Sequence, residues 1–224
     1  MLTLQTEELF KAIGSGDKTL VNQLVGSDAS LANAKDPTGV NAILYALYRG
    51  RVEIAELLAE RKSSLDIFEA ASLGKLGRVQ DLLEENPEDA NSFSPDGFNL
   101  LGLAAHFGRK DVVESLLEKG ADVNAVARNP TKFTALTGAL AGNHNEIAKI
   151  LILRGANVNH RYEEGFSPLM LAVENGDADM ARFLLEHGAD INAKTKDDKT
   201  ALSYALEKGH QDVAAILRTH RAAQ

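Results

Sequence analysis

The chain contains six histidines, the residues most often used to bind metals or to transfer protons, so their spacing is the first test for a reactive site. His187 and His220 are separated by the length of one repeat of the chain, which places them in neighbouring units roughly 10 Å apart. A zinc ion needs its ligand atoms about 2 Å away. His106 and His160 have no carboxylate or histidine partner at metal spacing, and His144 follows a helix end. We interpret all six histidines as structural or solvent-exposed and expect no metal site.

Other catalytic patterns are incomplete. Ser167 lies in the segment Gly-Phe-Ser-Pro-Leu, which lacks the closing glycine of a nucleophile elbow. The glycines at 14–16 and 138–142 do not form the phosphate cradle of a phosphate-binding loop, in which a glycine stands directly before a Lys-Ser/Thr pair. Acidic pairs such as Asp177 and Asp179 stand at predicted helix starts, where the helix dipole explains them. The sequence therefore predicts no enzymatic activity and no cofactor.

Composition excludes several classes of partner. The 224 residues include 44% hydrophobic and 25% charged residues, as in ordinary globular proteins, and carry a net charge of −8. An acidic chain with a pI near 5.3 repels phosphate backbones and anionic lipids, so we expect no nucleic-acid or membrane partner. There is no cysteine. The start of the chain lacks the basic and apolar regions of a secretory signal, and the expectation is a cytoplasmic protein.

An internal repeat organises the chain. A glycine or asparagine, which we call the pivot, recurs after a short Ala/Leu-rich segment and before a second segment with apolar residues at helical spacing. The spacings between successive pivots are 34, 24, 34, 35, 33 and 33 residues. Seven units follow, the third of them contracted, with these pivots: Gly16, Gly50, Gly74, Gly108, Asn143, Gly176 and Gly209.

Each unit is predicted to be a pair of short helices. A residue able to cap a helix stands nine positions before the pivot in five units, and an acid stands three positions after it, where the second helix begins. In the contracted unit, Asp66 and Glu69 have the spacing of a capping box. Such helices are too short to be stable alone, so the units must stack. The caps are Asn41, Asn99, Thr134, Ser167 and Thr200.

The segments between helix pairs predict turns. Gly120-Ala-Asp-Val-Asn124 and Gly188-Ala-Asp-Ile-Asn192 close their units, and Pro95-Asp-Gly97 has the composition of a hairpin turn. Lys132 and Asp198 stand where that glycine is expected, which leaves the turn geometry there open. The contracted spacing removes about one hairpin, so the second unit should connect to the third without one.

Two segments in particular show that this pattern resembles the ankyrin repeat: 97–108 (Gly-Phe-Asn-Leu-Leu-Gly-Leu-Ala-Ala-His-Phe-Gly) and 165–176 (Gly-Phe-Ser-Pro-Leu-Met-Leu-Ala-Val-Glu-Asn-Gly). The resemblance implies an all-α solenoid of stacked helix pairs with short β-hairpin fingers, in one domain spanning 1–224. The first and last units would be caps, and the units are 1–34, 35–62, 63–93, 94–126, 127–160, 161–193 and 194–224. The family's Thr-Pro-Leu-His tetrapeptide is incomplete, because its histidine position holds Leu44, Phe68, Gly102, Thr137, Met170 and Ser203.

The resemblance also implies a binding surface, the groove lined by the hairpin tips and the first helices. Position by position, it assigns partner binding to Tyr48, Arg49, Phe98, His106, Phe107, Phe133, Phe166, Glu174 and Asn175. The alternative for the three phenylalanines before the caps is packing on their own hairpins, and both interpretations stay open. Phe10 and Tyr45 are predicted to be core. An acidic rim near the carboxyl-terminal half would favour a partner with basic or apolar surface.

The function predicted from this resemblance is a non-enzymatic protein–protein interaction module of unknown partner. Two alternatives remain: a small-molecule or metal-dependent activity near His106 and Phe107, and an engineered or reconstructed scaffold without a partner. Uneven units argue against a consensus design but not against a reconstruction. We expect a monomer, because such stacks are commonly monomeric.

Overall fold

The computed structural model describes the backbone of residues 3–222 and the side chains of residues 3–220. The outer bounds predicted for the first and last units, residues 1 and 224, lie outside this range. The described helices form seven consecutive pairs: α1 (Leu4–Ser15) and α2 (Lys18–Ser27), α3 (Ala42–Tyr48) and α4 (Val52–Glu60), α5 (Ile67–Leu73) and α6 (Leu76–Glu85), α7 (Leu100–His106) and α8 (Lys110–Glu118), α9 (Ala135–Ala141) and α10 (Asn145–Leu153), α11 (Pro168–Glu174) and α12 (Ala178–Glu186), α13 (Ala201–Lys208) and α14 (Gln211–Ala222). The all-α repeat architecture predicted from the sequence is confirmed.

The first helix of each pair begins at a side-chain cap. Asn41 accepts a hydrogen bond from the backbone N–H of Leu44 at 2.8 Å, which satisfies one of the free donors that open a helix. The predicted capping box of Asp66 and Glu69 is present, with both reciprocal hydrogen bonds. The same capping role is confirmed for Asn99, Thr134, Ser167 and Thr200.

The missing family histidine is replaced in two units by a hydroxyl. Thr137 accepts from the backbone N–H of Thr134 at 2.7 Å, and Ser203 accepts from that of Thr200 at 3.0 Å. In the third unit, counting from the pivot assigned this position to Phe68. The structure corrects that assignment: the cap Asp66 stands eight residues before its pivot Gly74, where the other caps stand nine, so the third helical position, counted from the cap, is Glu69.

The fingers that precede the first helices carry isolated β-bridges rather than extended strands. Antiparallel bridges join Lys35 to Asn41, Phe93 to Asn99 and Tyr162 to Phe166. Successive fingers are also hydrogen-bonded to one another: the backbone N–H of Arg128 donates to Gly97 O at 2.8 Å, and that of Lys196 donates to Glu164 O at 2.8 Å. The fingers therefore form a continuous row from the fourth unit to the seventh.

Lys132 and Asp198 keep the left-handed turn conformation despite their side chains, with φ angles of 58° and 59°. A non-glycine residue pays a steric cost there, smaller for aspartate than for lysine.

We therefore expect Lys132→Gly to raise the free energy of unfolding by about 0.5–1 kcal/mol, because glycine removes the strain but also loosens the unfolded chain. Asp198→Gly should give a smaller gain. Urea unfolding of the two variants checks the order, and a loss of stability in Lys132→Gly would contradict it.

A row of asparagines in the turns that follow the second helices joins neighbouring units. Asn124 Nδ2 donates to Gly155 O at 3.1 Å, and Asn124 Oδ1 accepts from the Asn157 N–H at 2.8 Å. Asn91 makes the same pair of bonds to Gly120 and Asp122. The Asn159 side chain makes a third such pair of hydrogen bonds, to Gly188 and Asp190. The last asparagine of the segment that closes each of these units is thus a link to the next unit.

The core is divided where the third finger is missing. Residues 61–66 join α4 directly to α5, and the buried apolar side chains fall into two clusters on either side. One cluster comprises the first two units and Leu73, and the other runs from Ile67 to Leu217. Leu65 and Phe68 pack against both. At this connection Lys62 forms an ion pair with Glu69 at 2.7 Å, with side chains 9% and 0% exposed.

Candidate functional site

A cavity of about 400 Å³ opens between the second and fifth units, on the face formed by the fingers and first helices. Its lining comes from α3, α7, α9 and the fingers of the second, fourth and fifth units: Asp36, Val40, Tyr45, Tyr48, Arg49, Asp96, Phe98, Asn99, Gly102, Leu103, His106, Phe133, Thr134 and Gly138. Five of the nine residues assigned to partner binding from the sequence line it: Tyr48, Arg49, Phe98, His106 and Phe133.

The contracted third unit creates this cavity. Since that unit has no finger, the second and fourth fingers are neighbours, and a Cβ atom on Gly39 would lie 3.4 Å from the Pro95 Cβ. The Tyr48 hydroxyl donates a 2.8 Å hydrogen bond across the gap to Asp96 Oδ2. A finger on the third unit would stand between these residues.

Aromatic side chains from α3 and from the residues on either side of α7 pack together at one end of the cavity. The Tyr48 ring centroid lies 6.2 Å from that of Phe98 and 5.7 Å from that of Phe107. Phe107 also contacts the core of the first two units and does not line the cavity. Helix α5, between α3 and α7, carries the fully buried Ser72 two residues before its pivot, as Tyr48 and His106 are two residues before theirs.

Two helix-interior glycines form part of the cavity wall. A Cβ atom on Gly138 would lie 3.0 Å from Gly102 O, and one on Gly102 would lie 2.9 Å from the capping Asn99 Oδ1. Glycine destabilises a helix interior, so these positions trade helix stability for the close approach of α9 to α7 and of the Asn99 cap to Gly102. Sequence reasoning treated Gly138 only as a helix glycine and named Gly102 only as the residue at the family's histidine position. The sequence feature that could have identified both positions is a glycine within a helix that is otherwise rich in alanine and leucine.

The charged groups of the lining are held in fixed positions. Asp96 Oδ1 accepts from the Ser94 hydroxyl at 2.5 Å, in addition to the bond from Tyr48. Burial raises the pKa of the Tyr48 hydroxyl well above its usual range, and the Asp96 charge adds to that effect. Sequence reasoning missed Asp96, because its proximity to Tyr48 depends on which fingers are neighbours.

Two other ionisable side chains of the lining, His106 and Arg49, differ in charge. Burial lowers the pKa of His106, so its imidazole is neutral at pH 7. The Arg49 guanidinium lies over the Tyr45 ring, 5.1 Å from its centroid. Tyr45 was predicted to be core; it packs edge-on against the buried Phe10 with centroids 5.0 Å apart, and it also lines the cavity.

A second aromatic group lies in the fifth to seventh units. The buried Tyr162 packs against Phe133 at 5.1 Å and against Phe166 at 6.1 Å, and Phe166 packs against Tyr204 at 5.2 Å between ring centroids. Burial raises the pKa of the Tyr162 hydroxyl, and the charge of Glu174 raises it further. Phe133 belongs to this group and to the cavity lining, so the two aromatic groups share it.

The remaining assigned residues lie outside the cavity. Phe166 belongs to the second aromatic group, and Glu174 lies at the end of α11. Asn175 Nδ2 donates to Leu140 O at 3.0 Å, which joins α11 to α9. The structure therefore places five of the nine residues in the central cavity and three in a carboxyl-terminal set, Phe166, Glu174 and Asn175, while Phe107 packs beside the cavity.

Four of the six histidines contact backbone carbonyls or glycines of the repeats. His160 Nε2 lies 2.7 Å from Lys132 O, and His187 Nδ1 lies 2.8 Å from Phe183 O. The rings of His144 and His210 lie against Gly108 and Gly176. Within the described part of the chain, no three His, Asp or Glu side chains are grouped as a metal site would require. None of the described helices is long and apolar enough to cross a bilayer.

Comparison with known proteins identifies the repeat. A family model described as "Ankyrin repeats (3 copies)" matches residues 67–162 and 139–224. "Ankyrin repeat and SAM domain-containing protein 6" of Rattus norvegicus is 34% identical over 114 residues, 51% of this chain and 13% of that protein. "Neurogenic locus notch homolog protein 1" of Homo sapiens is 30% identical over 162 residues, 68% of this chain.

These relatives are much longer than this chain. The match covers 6% of the human notch homolog and 5% of "Alpha-latrocrustotoxin-Lt1a" of Latrodectus tredecimguttatus, which is 41% identical over 75 residues. The similarity is thus confined to the repeats. Repeats of matching sequence over most of the chain, folded as stacked helix pairs with intervening fingers, establish that the chain belongs to the ankyrin repeat family.

Proposed function

We propose that this chain binds a partner protein through the cavity and the groove that extends from it, without catalysing a reaction. Ankyrin repeats are generally protein–protein interaction modules and are typically non-enzymatic. The observation that carries the proposal for this chain is the open cavity, whose aromatic lining comes from three different units.

The lining has the chemistry of a protein-binding hot spot. Aromatic side chains such as Phe98 and Phe133 offer large apolar area and lose little conformational entropy on binding. Both are only half-buried in the isolated chain, so part of each ring is available to a partner. Tyr48 is held by Asp96, which fixes its ring before a partner arrives.

Affinity capture from a native lysate tests the proposal. We expect Phe98→Ser with Phe133→Ser to lose a protein that the unchanged chain retains, because truncation of hot-spot residues costs about 2 kcal/mol or more each. The matched control is Leu153→Ser, which removes an apolar side chain that is 70% exposed on α10 and outside the cavity. Circular dichroism must first show equal helicity in all three proteins.

The outcomes separate the interpretations. Retention by the control and loss by the double variant would support the cavity as the binding site. Equal capture by all three proteins would overturn it. Phe166→Ser measures whether the interface extends to the second aromatic group, and a loss there would support the carboxyl-terminal set, Glu174 and Asn175 included.

A small-molecule site is the second candidate, and the volume of the cavity favours it. Sites for small ligands are about 300–1,000 Å³ and mostly apolar, a range that includes this cavity. A panel of metabolites and divalent metals would then raise the melting temperature of the unchanged chain, and the shift would be lost in His106→Ala. If no compound shifts the melting temperature, the protein-binding proposal stands alone.

We further infer one domain of seven units, with the first and last as caps, and a monomer. The unbroken series of helix pairs between residues 4 and 222 supports the single domain, and the monomer is an expectation from the resemblance. Sedimentation at micromolar concentration tests the oligomeric state. Cytoplasmic residence is an expectation from composition, and fluorescence microscopy of the tagged full-length protein tests it.

A further inference from the structure

The cavity combines aromatic rings with carboxylates. Tyr48, Phe98 and Phe133 contribute rings, and Asp36 and Asp96 contribute charge at the fingers. An aromatic face attracts a cation through its quadrupole, and a carboxylate adds a charge-assisted hydrogen bond. The two features together suit a basic side chain better than a purely apolar one.

Both carboxylates are pre-organised. Asp36 Oδ1 accepts from the Thr38 N–H at 2.8 Å and from the Val40 N–H at 3.0 Å, so it is fixed within its turn. Asp96 is fixed by Tyr48 and Ser94. A ligand cation would meet acceptors that are already oriented and would not have to order them.

The cavity already holds one cation against an aromatic ring. Arg49 is exposed, and its guanidinium lies over Tyr45 at one side of the opening. The two aspartates carry two negative charges against this one positive charge. His106 is neutral, because burial lowers its pKa. The lining is therefore net negative, and the chain as a whole carries −8.

We infer that the cavity receives a lysine-type basic side chain from an extended segment of a partner protein, with the alkyl stem against Phe98 and Phe133 and the ammonium group toward Asp96 and Asp36. This inference rests on the proposed function and specifies the partner. Arg49 then acts as a like charge that limits affinity, and long-range attraction to the acidic chain speeds association at low salt.

Three small probes of equal chain length test the inference directly. Hexylammonium, 1-hexanol and hexanoate are titrated into the isotope-labelled protein, and amide shifts are followed by NMR. We expect hexylammonium to shift the amides of residues 96–107 and to bind at least about tenfold tighter than the other two. Tighter binding of hexanoate, equal binding of hexanol, or no binding by any probe would overturn the inference.

Two variants give opposite expected changes. Asp96→Asn keeps a hydrogen-bonding group for Tyr48 but removes the charge, so hexylammonium should bind about five- to tenfold more weakly. Arg49→Gln, on the exposed side of the cavity, should bind it a few-fold more tightly, because a repelling charge is gone. Unchanged affinity in both variants would overturn the inference. Asp36→Asn replaces Asp96→Asn if the latter loses helicity.

The outcomes distinguish this inference from the proposed function. If hexanol binds as well as hexylammonium, the cavity is an apolar pocket and the capture experiment with Phe98 and Phe133 still tests partner binding. If the phenylalanine variants capture the partner normally while hexylammonium binds, the basic-ligand site exists but is not the protein interface.

Discussion

Lys62→Met is expected to lower the free energy of unfolding by about 3–5 kcal/mol at pH 7. Glu69 is fully buried, and Lys62 Nζ lies 2.7 Å from Glu69 Oε1. Its other carboxylate oxygen accepts from the Asp66 N–H at 3.0 Å. Removal of the lysine leaves a buried carboxylate without its counter-ion, which costs far more than the pair itself contributes.

The loss should depend on pH with a definite sign. Burial, together with the charge of Asp66, raises the pKa of Glu69 in the folded state, and the hydrogen bond from Lys62 opposes that rise. A carboxyl whose folded pKa is raised destabilises the fold as pH increases from the unfolded value, about 4.3, through the folded value. Without Lys62 the folded pKa rises further, so the deficit of the variant should shrink as pH falls from 7 toward 4.3.

Urea unfolding at pH 7, 6 and 5 checks this prediction. The matched control is Lys75→Met, which breaks the pair with Glu56 whose side chains are 43% and 39% exposed, and which should cost about 1 kcal/mol or less. The double variant Lys62→Met with Glu69→Gln should recover part of the loss. An equal cost for Lys62→Met and Lys75→Met would refute the role assigned to the buried pair.

Gly108→Ala is expected to cost about 3 kcal/mol, the second largest effect. Gly108 has a φ of 72°, and a Cβ atom there would lie 2.5 Å from His144 Cε1. The same ring is packed against Gly142, where an added Cβ atom would lie 2.6 Å from His144 Cδ2. The variant thus combines left-handed backbone strain, about 1–2 kcal/mol, with overpacking of about 1–3 kcal/mol.

The variant Gly50→Ala measures the cost of the left-handed backbone conformation without a side-chain clash. Gly50 is also a pivot, with a φ of 67°, but no atom lies within 4 Å of an added Cβ. We expect it to cost about 1–2 kcal/mol. Gly108→Ala combined with His144→Ala should lose less than the two single variants together, since the clash is removed. Thermal or urea unfolding of the four proteins measures this cycle, and equal losses for Gly108→Ala and Gly50→Ala would show that the histidine contact is unimportant.

The parts of the fold that follow from local chemistry were predictable from the sequence. Caps such as Asn41 and pivots such as Asn143, with a φ of 59°, depend on residues within a few positions of one another. The contracted third unit followed from counting alone. The equivalence of Phe68 was wrong, because a count from the pivot assumes nine residues between cap and pivot, whereas Asp66 and Gly74 are eight apart.

The candidate site was predictable only in part, because the sequence of a single repeat does not determine which residues of different units come into contact. The sequence placed Tyr48 and Phe98 on the right face, but not the hydrogen bond from Tyr48 to Asp96, which spans 48 residues. It named Gly102 only as a departure from the family's histidine, and not as a residue of the cavity wall. Phe107 was assigned to the groove, whereas its ring packs on Tyr48 and the core of the first two units.

The division of the core at residues 61–66 affects how the molecule opens. In a linear array each unit is stabilised chiefly by its two neighbours, so a weakened boundary lets one end unfold while the other stays folded. The asparagine links described above begin at Asn91 and give this boundary no support. Amide hydrogens of α1 to α4 should then exchange as one block, ahead of those of α7 to α12.

The cavity straddles this boundary, since Tyr45 and Tyr48 lie before it and Phe98 and Phe133 lie after it. An occupant that contacts both walls binds only the form in which the two blocks are docked. Occupancy would therefore slow exchange in α1 to α4, most of whose residues the occupant never touches, and the gain in protection would equal the binding free energy available at that ligand concentration. Because the third finger is missing, amide hydrogen exchange in the first two units would indicate whether the cavity is occupied.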